Sequence, residues 1–420
     1  MKSKRFTTAY IAWRNLGRNK RRTLLALGAI ALGQLTLVFV NCMMAGMYEE
    51  MLQTVTGPLV GHVQIHHPDW RQERAMDLYI DKVSKVKSQI SKLPEVKTVL
   101  PRIYAPVLVA SGKKTDEPAE AESAVIIGIN VDLEVNENGL LHMLEADNRP
   151  KGQSVVLGKV LANRLNVDVG QQLAVIGQDI DGFPATNLYT IQAVIKSGVD
   201  IVQNRGIIMD INEAAQLLAM PDQAHEIVVH GTDYHQAEKL AGEIGKLKIL
   251  SDAEVLPWRQ VVPNVSRMID LKSWMDLIFV AVVFIAAAAG IANTAMMSTF
   301  ERTHEFGMLL ALGTSPLRIV RMILIESVVL GLAGVTIGSL VGVAVVLITS
   351  QTGINYAALA GANVEDIAFA GINVSYVIYP MIEVRHIIFG VLAVTATSVL
   401  ASTWPALLAA RLEPVEAMRS

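Results

Sequence analysis

The sequence predicts an α-helical membrane protein with four transmembrane helices and a large α+β extracytoplasmic domain inserted between helices 1 and 2. Four windows contain no Asp, Glu, Lys or Arg, and each is long enough to cross about 30 Å of hydrocarbon as a helix. The polar interval between the first two windows is long enough for a hydrophobic core of its own. A hydrophobic content of 52%, a charged content of 18% and a mean hydropathy of +0.39 agree with a membrane protein. The four windows are residues 23–48, 277–300, 327–364 and 386–410.

Basic residues near the predicted spans indicate their orientation. Cytoplasmic segments next to spans are enriched in Lys and Arg, so both termini are expected in the cytoplasm and the large domain outside. The loop between spans two and three, with Arg302, Arg318 and Arg321, agrees with this orientation. We therefore expect a multi-pass protein of the cytoplasmic (inner) membrane. The charged residues before the first span are all basic: Lys2, Lys4, Arg5, Arg14, Arg18, Lys20, Arg21 and Arg22.

These patterns divide the chain into successive segments. The third window is too long for one helix, and the turn formers Gly353 and Asn355 are expected to end its span near Ser350. The predicted spans are residues 23–48, 272–300, 318–350 and 385–410. The predicted segments outside them are a cytoplasmic interfacial helix at 1–22, the extracytoplasmic domain at 49–271, a cytoplasmic helix at 301–317, an extracytoplasmic loop at 351–384 and a cytoplasmic tail at 411–420.

Strand and helix patterns alternate within the interval 49–271. Residues 59–66 and 107–110 have the short apolar runs of strands. Residues 73–93 have the periodicity of an amphipathic helix that Pro94 closes. From Trp258 the pattern turns helical and continues into the second span. The interval therefore predicts an α+β domain connected to the membrane by a helix.

No residue pattern predicts catalysis or metal binding. Residues 112–115, GKKT, resemble the end of a phosphate-binding loop but lack its upstream glycine and its magnesium-binding Ser or Thr. His62 and His66 on one strand would lie about 13 Å apart, too far to share a metal ion. Because Cys42 is the only cysteine, the chain can form no internal disulfide. We expect no catalytic residue, no metal site, no cofactor and no nucleic-acid partner.

The third span contains closely spaced glycines. Such glycines leave a groove on a helix through which another helix can approach closely. Two interpretations remain open, namely packing within one subunit and a seam between two copies. The glycines are Gly331, Gly334, Gly338 and Gly342.

A short stretch between the second and third spans, ERTHEFGMLLALG at residues 301–313, combines charged and apolar residues. Acidic residues at its start and Gly313 at its end predict a short helix. Phe306, Leu309, Leu310 and Leu312 form an apolar stripe on that helix. Such a helix can lie on the lipid or insert into a groove on a cytosolic partner, and periodicity alone does not distinguish the two.

The same stretch resembles the cytoplasmic segment of the FtsX-like, MacB-type ABC permeases, whose pattern is approximately E-R-x-x-E-[IF]-G-[IVM]-L-[RK]-A-[LM]-G. Leu310 departs from this pattern, because a basic residue is usual there. Residues 12–16, 157–173 and 405–417 also resemble the family, and the loop 353–380 looks most like its lipoprotein-releasing LolC/LolE branch. The matching residues are Glu301, Arg302, Glu305, Phe306, Gly307, Met308, Leu309, Ala311, Leu312 and Gly313. His304 is at a variable position of the pattern and belongs to the same implied coupling helix.

The resemblance implies a permease subunit that is not itself an enzyme. A separate ABC ATPase subunit would bind ATP and dock on the 301–313 helix, and a second permease chain, identical or related, would pair with this one in the membrane lipid. Closure of the ATPase would move the extracytoplasmic domains, which is mechanotransmission. The implied cargo is a lipoprotein handed to a periplasmic carrier. The implied alternatives are a MacB-like exporter of peptides or drugs and an FtsX-like regulator of a cell-wall hydrolase.

Overall fold

The computed structural model describes residues 20–111, 121–136, 139–142, 144–197, 199–355, 367–369, 372–374 and 377–411. The chain divides into two compact units. The helical unit comprises Met1–Tyr48, Ile269–Ala362 and Tyr376–Ser420, and the sheet unit comprises Glu49–Met268 and Asn363–Ser375. The interfacial helix predicted at 1–22 and the tail predicted at 411–420 lie almost wholly outside the described residues.

The α-helices of the described residues alternate with strands in the sheet unit and follow one another in the helical unit. In chain order they are α1 (Lys20–Thr56), α2 (Trp70–Glu73), α3 (Val83–Ile90), α4 (Lys159–Arg164), α5 (Asp200–Arg205), α6 (Ile211–Leu217), α7 (Ala237–Ile244), α8 (Trp258–Val261), α9 (Pro263–Glu301), α10 (Thr303–Ala311), α11 (Pro316–Thr352) and α12 (Val384–Ala410).

Four of these helices, α1, α9, α11 and α12, are long and apolar enough to cross a membrane. The helix predicted to continue from Trp258 into the second span is interrupted at Val262, and the helix of the third span begins two residues earlier than predicted. α9 begins at Pro263 and α11 at Pro316, because proline suits the first helical turn, where its missing N–H is not needed. Ile30 of α1, Ile291 of α9, Val335 of α11 and Val394 of α12 meet in one buried apolar cluster. All four helices therefore pack together in the helical unit.

Nine strands of the sheet unit, all within Glu49–Met268, form one sheet. Its spatial order is β3-β7-β4-β6-β5-β2-β8-β1-β9, and β2 also pairs with β3. The pairs β3–β7 and β4–β6 are parallel and the other pairs are antiparallel. The strands are β1 (Val63–His66), β2 (Val96–Ser111), β3 (Ala121–Ile129), β4 (Ser154–Gly158), β5 (Gln172–Gln178), β6 (Pro184–Ile195), β7 (Gly206–Asp210), β8 (Glu226–Gly231) and β9 (Glu254–Pro257).

The long strand β2 joins the two parts of this sheet. Its first half pairs with β8, from Val96 opposite Gly231 to Arg102 opposite Glu226. Its second half pairs with β3 on one side and β5 on the other. Because β2 contacts both β3 and β5, the strands from β3 to β2 close on themselves, while β8, β1 and β9 extend outward.

The prediction of a single helix at 73–93 is wrong for the first half of that range. The structure has two short helices instead, α2 and α3, with an extended segment between them. In that segment Ile80 forms a bridge with Ala224, with an N···O distance of 2.7 Å. Arg74 and Lys82, on either side, have positive φ angles of 51° and 54°, which end helical geometry. The pairing of Ile80 with the distant Ala224 therefore prevents the helix that the local hydrophobic periodicity predicts.

The loop predicted at 351–384 contains short strands within its described residues. Ile354–Asn355 pairs with Val377–Ile378, and Ile367–Phe369 pairs with Ile372–Val374. The backbone N–H of Met381 also donates to the carbonyl of Cys42 in α1, at 2.9 Å. This loop is therefore partly ordered by hydrogen bonds.

A buried ion pair links the sheet to a neighbouring loop. Arg102 donates through Nε and Nη2 to the two carboxylate oxygens of Glu134, at 2.8 and 3.1 Å, and through Nη1 to the carbonyl of Leu59 at 3.1 Å. The N–H of Leu140 also donates to Glu134, at 2.8 Å. Both side chains are fully buried, so each charge depends on the other.

We predict that Glu134→Ala destabilises the sheet unit by about 3–5 kcal/mol, because it leaves the Arg102 guanidinium buried without its counter-ion. Denaturant unfolding of the purified chain in detergent measures this change. The control is Lys239→Ala, which removes an exposed ion pair to Glu95 and should leave the unfolding midpoint nearly unchanged. Equal midpoints for both variants would contradict the prediction.

Candidate functional site

The stretch 301–313 is divided between two helices. Glu301 is the last residue of α9, Arg302 lies at the break, and α10 begins at Thr303. The sequence predicted a single helix from Glu301, so its start is corrected by two residues. The Thr303 hydroxyl donates to the carbonyl of Phe300 at 2.9 Å, which satisfies an acceptor at the end of α9.

Arg302 ties α10 to α11 through charged contacts. Its Nε donates to Glu305 at 3.1 Å, and its Nη1 donates to Glu326 of α11 at 3.0 Å. Its guanidinium carbon also lies 5.0 Å from the centre of the Phe306 ring. Arg302 and Glu326 are mostly shielded from solvent, which strengthens their attraction relative to an exposed pair.

Sequence reasoning missed the role of Glu326. It is 24 residues from Arg302, and the sequence shows it only as an acidic residue within the predicted third span. A usable signal does exist, since the two residues are roughly equidistant from the turn at Gly313. Two helices that fold back on each other at that turn bring such residues together.

Phe306 is an internal anchor of α10. Its side chain is 1% exposed and packs in a cluster with residues of α11 and α12. Removing a buried phenylalanine side chain costs about 3–5 kcal/mol. The predicted apolar stripe is therefore corrected, because Phe306 and the partly buried Leu310 face this chain and not a partner. The buried cluster consists of Phe306, Ile319, Ile323, Ala406 and Ala409.

The opposite face of α10 is exposed. Leu312 is the most exposed residue there, at 83%. Its neighbours at helical spacing are His304, Met308 and Ala311, which are also exposed, as are Glu301, Leu309 and Gly313. This surface, the His304–Leu312 face, is mainly apolar with one titratable group. Of the predicted site residues within 301–313, Phe306 and Gly307 are buried, and Arg302 and Glu305 are intermediate.

Gly313 ends α10 as the sequence predicts. Its φ is +83°, in the left-handed region that favours glycine. The N–H of Gly313 donates to Leu310 at 3.0 Å, and the N–H of Thr314 donates to Leu309 at 2.9 Å. This pair of bonds is the Schellman motif, which reverses the chain direction within a few residues before Pro316 begins α11.

The glycines of α11 face other helices of the same chain. A Cβ atom at Gly334 would lie 2.8 Å from Ile30, and one at Gly342 would lie 3.3 Å from Val38, both in α1. Small residues are therefore needed for α11 to approach α1 and α12. This arrangement corresponds to the interpretation of packing within one subunit. The nearest residues are Ser398 for Gly331, Ile30 for Gly334, Ala31 for Gly338 and Val38 for Gly342.

Models of known protein families match both an N-terminal and a C-terminal part of the chain. The family model of the FtsX-like permease C-terminal region matches residues 277–414. The model of the MacB-like periplasmic core domain matches residues 23–247, which is more than half of the chain. The chain belongs to the FtsX-like, MacB-type family of ABC transporter permeases. The helical hairpin of α10 and α11 lies within the first of these matches.

Individual relatives of the permease span most of its length at low identity. The LolC transmembrane protein of a lipoprotein-releasing system from Neisseria meningitidis is 22% identical over 353 residues, which are 80% of this chain and 81% of the relative. The pyoverdine export ATP-binding/permease protein PvdT of Pseudomonas putida is 23% identical over 446 residues, covering 97% of this chain but only 59% of the relative. The periplasmic region of MacB from Actinobacillus actinomycetemcomitans is 13% identical, with a TM-score of 0.33, over 49% of this chain and 92% of that structure.

We predict that Gly313→Ala loosens α10, because a Cβ at this φ costs about 1 kcal/mol although nothing lies within 4 Å of it. Hydrogen exchange of the 303–314 amides should become about fivefold faster. The matched control is Gly290→Ala in α9, where the added methyl also meets open space but the backbone is helical. That variant should leave exchange in 303–314 unchanged. Equal exchange in both variants would show that the backbone angle of Gly313 does not matter.

Proposed function

We propose that this chain is the membrane subunit of an ABC transporter in which a separate ATPase subunit docks on the His304–Leu312 face of α10. The observation that carries the proposal is the division of α10 into two faces. One face is anchored by Phe306 in the chain's own helices, and the other presents exposed apolar residues, Leu312 above all. An exposed apolar surface on a short, well-fixed helix is typical of a docking element.

The contacts of α10 support its role in transmitting motion. A force on its exposed face reaches α11 through the Arg302–Glu326 pair and reaches α11 and α12 through Phe306. α9 runs without a break from Pro263 to Glu301 and therefore connects the end of the sheet unit with α10 along the chain. We propose that ATP-driven closure of the ATPase moves α10 and, through these helices, the sheet unit.

We propose the orientation that the charges predict, with both termini and α10 in the cytoplasm and the sheet unit outside the inner membrane. The basic residues before the first span and those in the 301–321 region support it. In this orientation the His304–Leu312 face meets the compartment that contains ATP. A second permease chain, identical or related, completes the membrane part.

For the cargo, we propose release of lipoproteins from the membrane. The support is the LolC relative, whose alignment covers about four-fifths of both chains, so that the two proteins correspond over nearly their whole length. The alternative is export of a small molecule or peptide, which the PvdT relative supports. The macrolide export ATP-binding/permease protein MacB of Sodalis glossinidius also supports it, at 32% identity over 131 residues, which are 31% of this chain and 17% of that relative. An FtsX-like regulatory role is the third candidate, and the extent of the sheet unit favours transport over it.

We predict that Leu312→Asp weakens binding of the ATPase by about tenfold or more, because a charge replaces the most exposed apolar side chain of the docking face. Because Leu312 touches little of its own chain, the variant should fold and insert normally. The measurement is affinity purification of the tagged permease from membranes of its own host, with P-loop ATPase subunits quantified by mass spectrometry.

The matched control is Phe183→Asp, which places the same charge at an exposed apolar position in the β5–β6 turn of the sheet unit. It should recover as much ATPase as the unmodified chain. Equal recovery with Leu312→Asp would overturn the docking site, and no ATPase with the unmodified chain would overturn the subunit assignment. Lipid-modified proteins in the same eluate would support lipoprotein release over small-molecule export.

A further inference from the structure

The sheet unit contains a cavity of about 530 Å³ that the proposed coupling does not use. Its volume lies in the range of small-molecule sites, about 300–1,000 Å³. Part of its wall is apolar and comes from segments far apart in the sequence, among them Leu59, Val60, Ile201, Val261 and Val262. A cavity assembled from several segments of a folded sheet is preformed before any ligand arrives.

An acid and a base face each other inside this cavity. Glu226 of β8 is only 4% exposed, and one of its oxygens accepts a hydrogen bond from the Gln64 side chain. Its other oxygen lies 3.8 Å from Nη1 of Arg74. That separation exceeds the 2.7–2.9 Å of a charged hydrogen bond, so the two groups form an ion pair without a hydrogen bond. A ligand can therefore contact both groups.

The position of Arg74 is fixed by its neighbours. Its φ of 51° places it at the end of α2 in the left-handed region, which turns the chain toward the cavity. Its guanidinium carbon lies 5.1 Å from the centre of the Trp70 ring, and Trp70 in turn stacks on His225 at 4.3 Å. Arg74 thus remains half exposed but held in place, as a binding group needs to be.

The contacts of Glu226 do not fully replace the solvation that its carboxylate loses on burial. Loss of contact with water raises the pKa of its carboxyl, although Arg102 and Arg74 act in the opposite direction. A positively charged group beside it would replace the missing solvation. Glu254 and Arg71 also line the cavity. Its wall therefore carries two acidic and two basic side chains.

We propose that this cavity binds a small zwitterion with an apolar side chain, of the class of the aliphatic and aromatic α-amino acids. The ammonium group lies against Glu226, the carboxylate against Arg74, and the side chain against the apolar wall. An α-amino acid carries its two charges a few ångströms apart, which matches the spacing of this acid and base. A ligand with only one charge would leave one of the two groups facing a like charge or an apolar atom.

The test is isothermal titration of the full-length chain in lipid nanodiscs with L-leucine and L-phenylalanine. Two partial ligands are matched to leucine, namely isoamylamine, which lacks the carboxylate, and 4-methylpentanoate, which lacks the ammonium group. The proposal expects saturable binding of at least one of the two amino acids and affinities about tenfold or more lower for both partial ligands. Absence of saturable binding of both amino acids at millimolar concentrations overturns it, as does equal affinity for either partial ligand.

Two variants locate the site. Glu226→Gln and Arg74→Gln should each lower the affinity about tenfold or more, and Arg74 is exposed enough that its variant should fold normally. The controls are Glu73→Gln and Lys85→Gln, which remove exposed charges of the same two signs from positions outside the cavity. They should leave the affinity unchanged. An unchanged affinity of the Arg74→Gln variant overturns the assignment of the site. An equal loss of affinity in the control variants overturns it as well. Because none of these variants alters α10, the result is independent of the ATPase experiment.

Discussion

The contact between Arg302 and Glu326 is the interaction on which the proposed coupling depends. Without it, the start of α10 would be joined to α11 only through the helix break at Arg302 and the packing of Phe306. A helix of nine residues is marginal alone in water, so its stability comes from packing and fixed ends. The ion pair fixes one end, the Schellman turn fixes the other, and Phe306 anchors the middle. Only because α10 is held at three points can motion of a docked partner reach α11 and α12.

In the sheet unit, β2 has a comparable role. It pairs with β8 through one half and with β3 and β5 through the other, so the closed part of the sheet and its extension share one strand. Arg102 lies where the two halves of β2 meet, and its buried pair with Glu134 secures the loop beside it. Glu226 of β8 lies opposite Arg102 in the sheet. This second buried acid lines the cavity.

Part of this architecture follows from local sequence and part does not. Charge-free windows predicted the four long apolar helices, and Gly313 predicted the end of α10, because hydrophobic length and glycine's access to positive φ are local properties. The periodicity of 301–313 showed an apolar stripe but not that Phe306 faces α11 and α12, which depends on tertiary contacts. The Ile80–Ala224 bridge, which interrupts the helix predicted at 73–93, joins residues far apart in the sequence. The Arg74–Glu226 pair is equally nonlocal, so no motif in the sequence indicated the cavity.

Site-specific photo-crosslinking from position 312 tests the central claim most directly. A photoreactive amino acid in place of Leu312 probes the exposed face of α10 in intact membranes, and the same residue at Phe183 is the reference. We expect a covalent adduct from position 312 whose second chain is a P-loop ATPase, with a yield that changes on addition of a non-hydrolysable ATP analogue. We expect no such adduct from position 183. Adducts from position 312 with lipid alone would contradict the proposed docking, because α10 would then lie on the membrane surface and not in an ATPase groove.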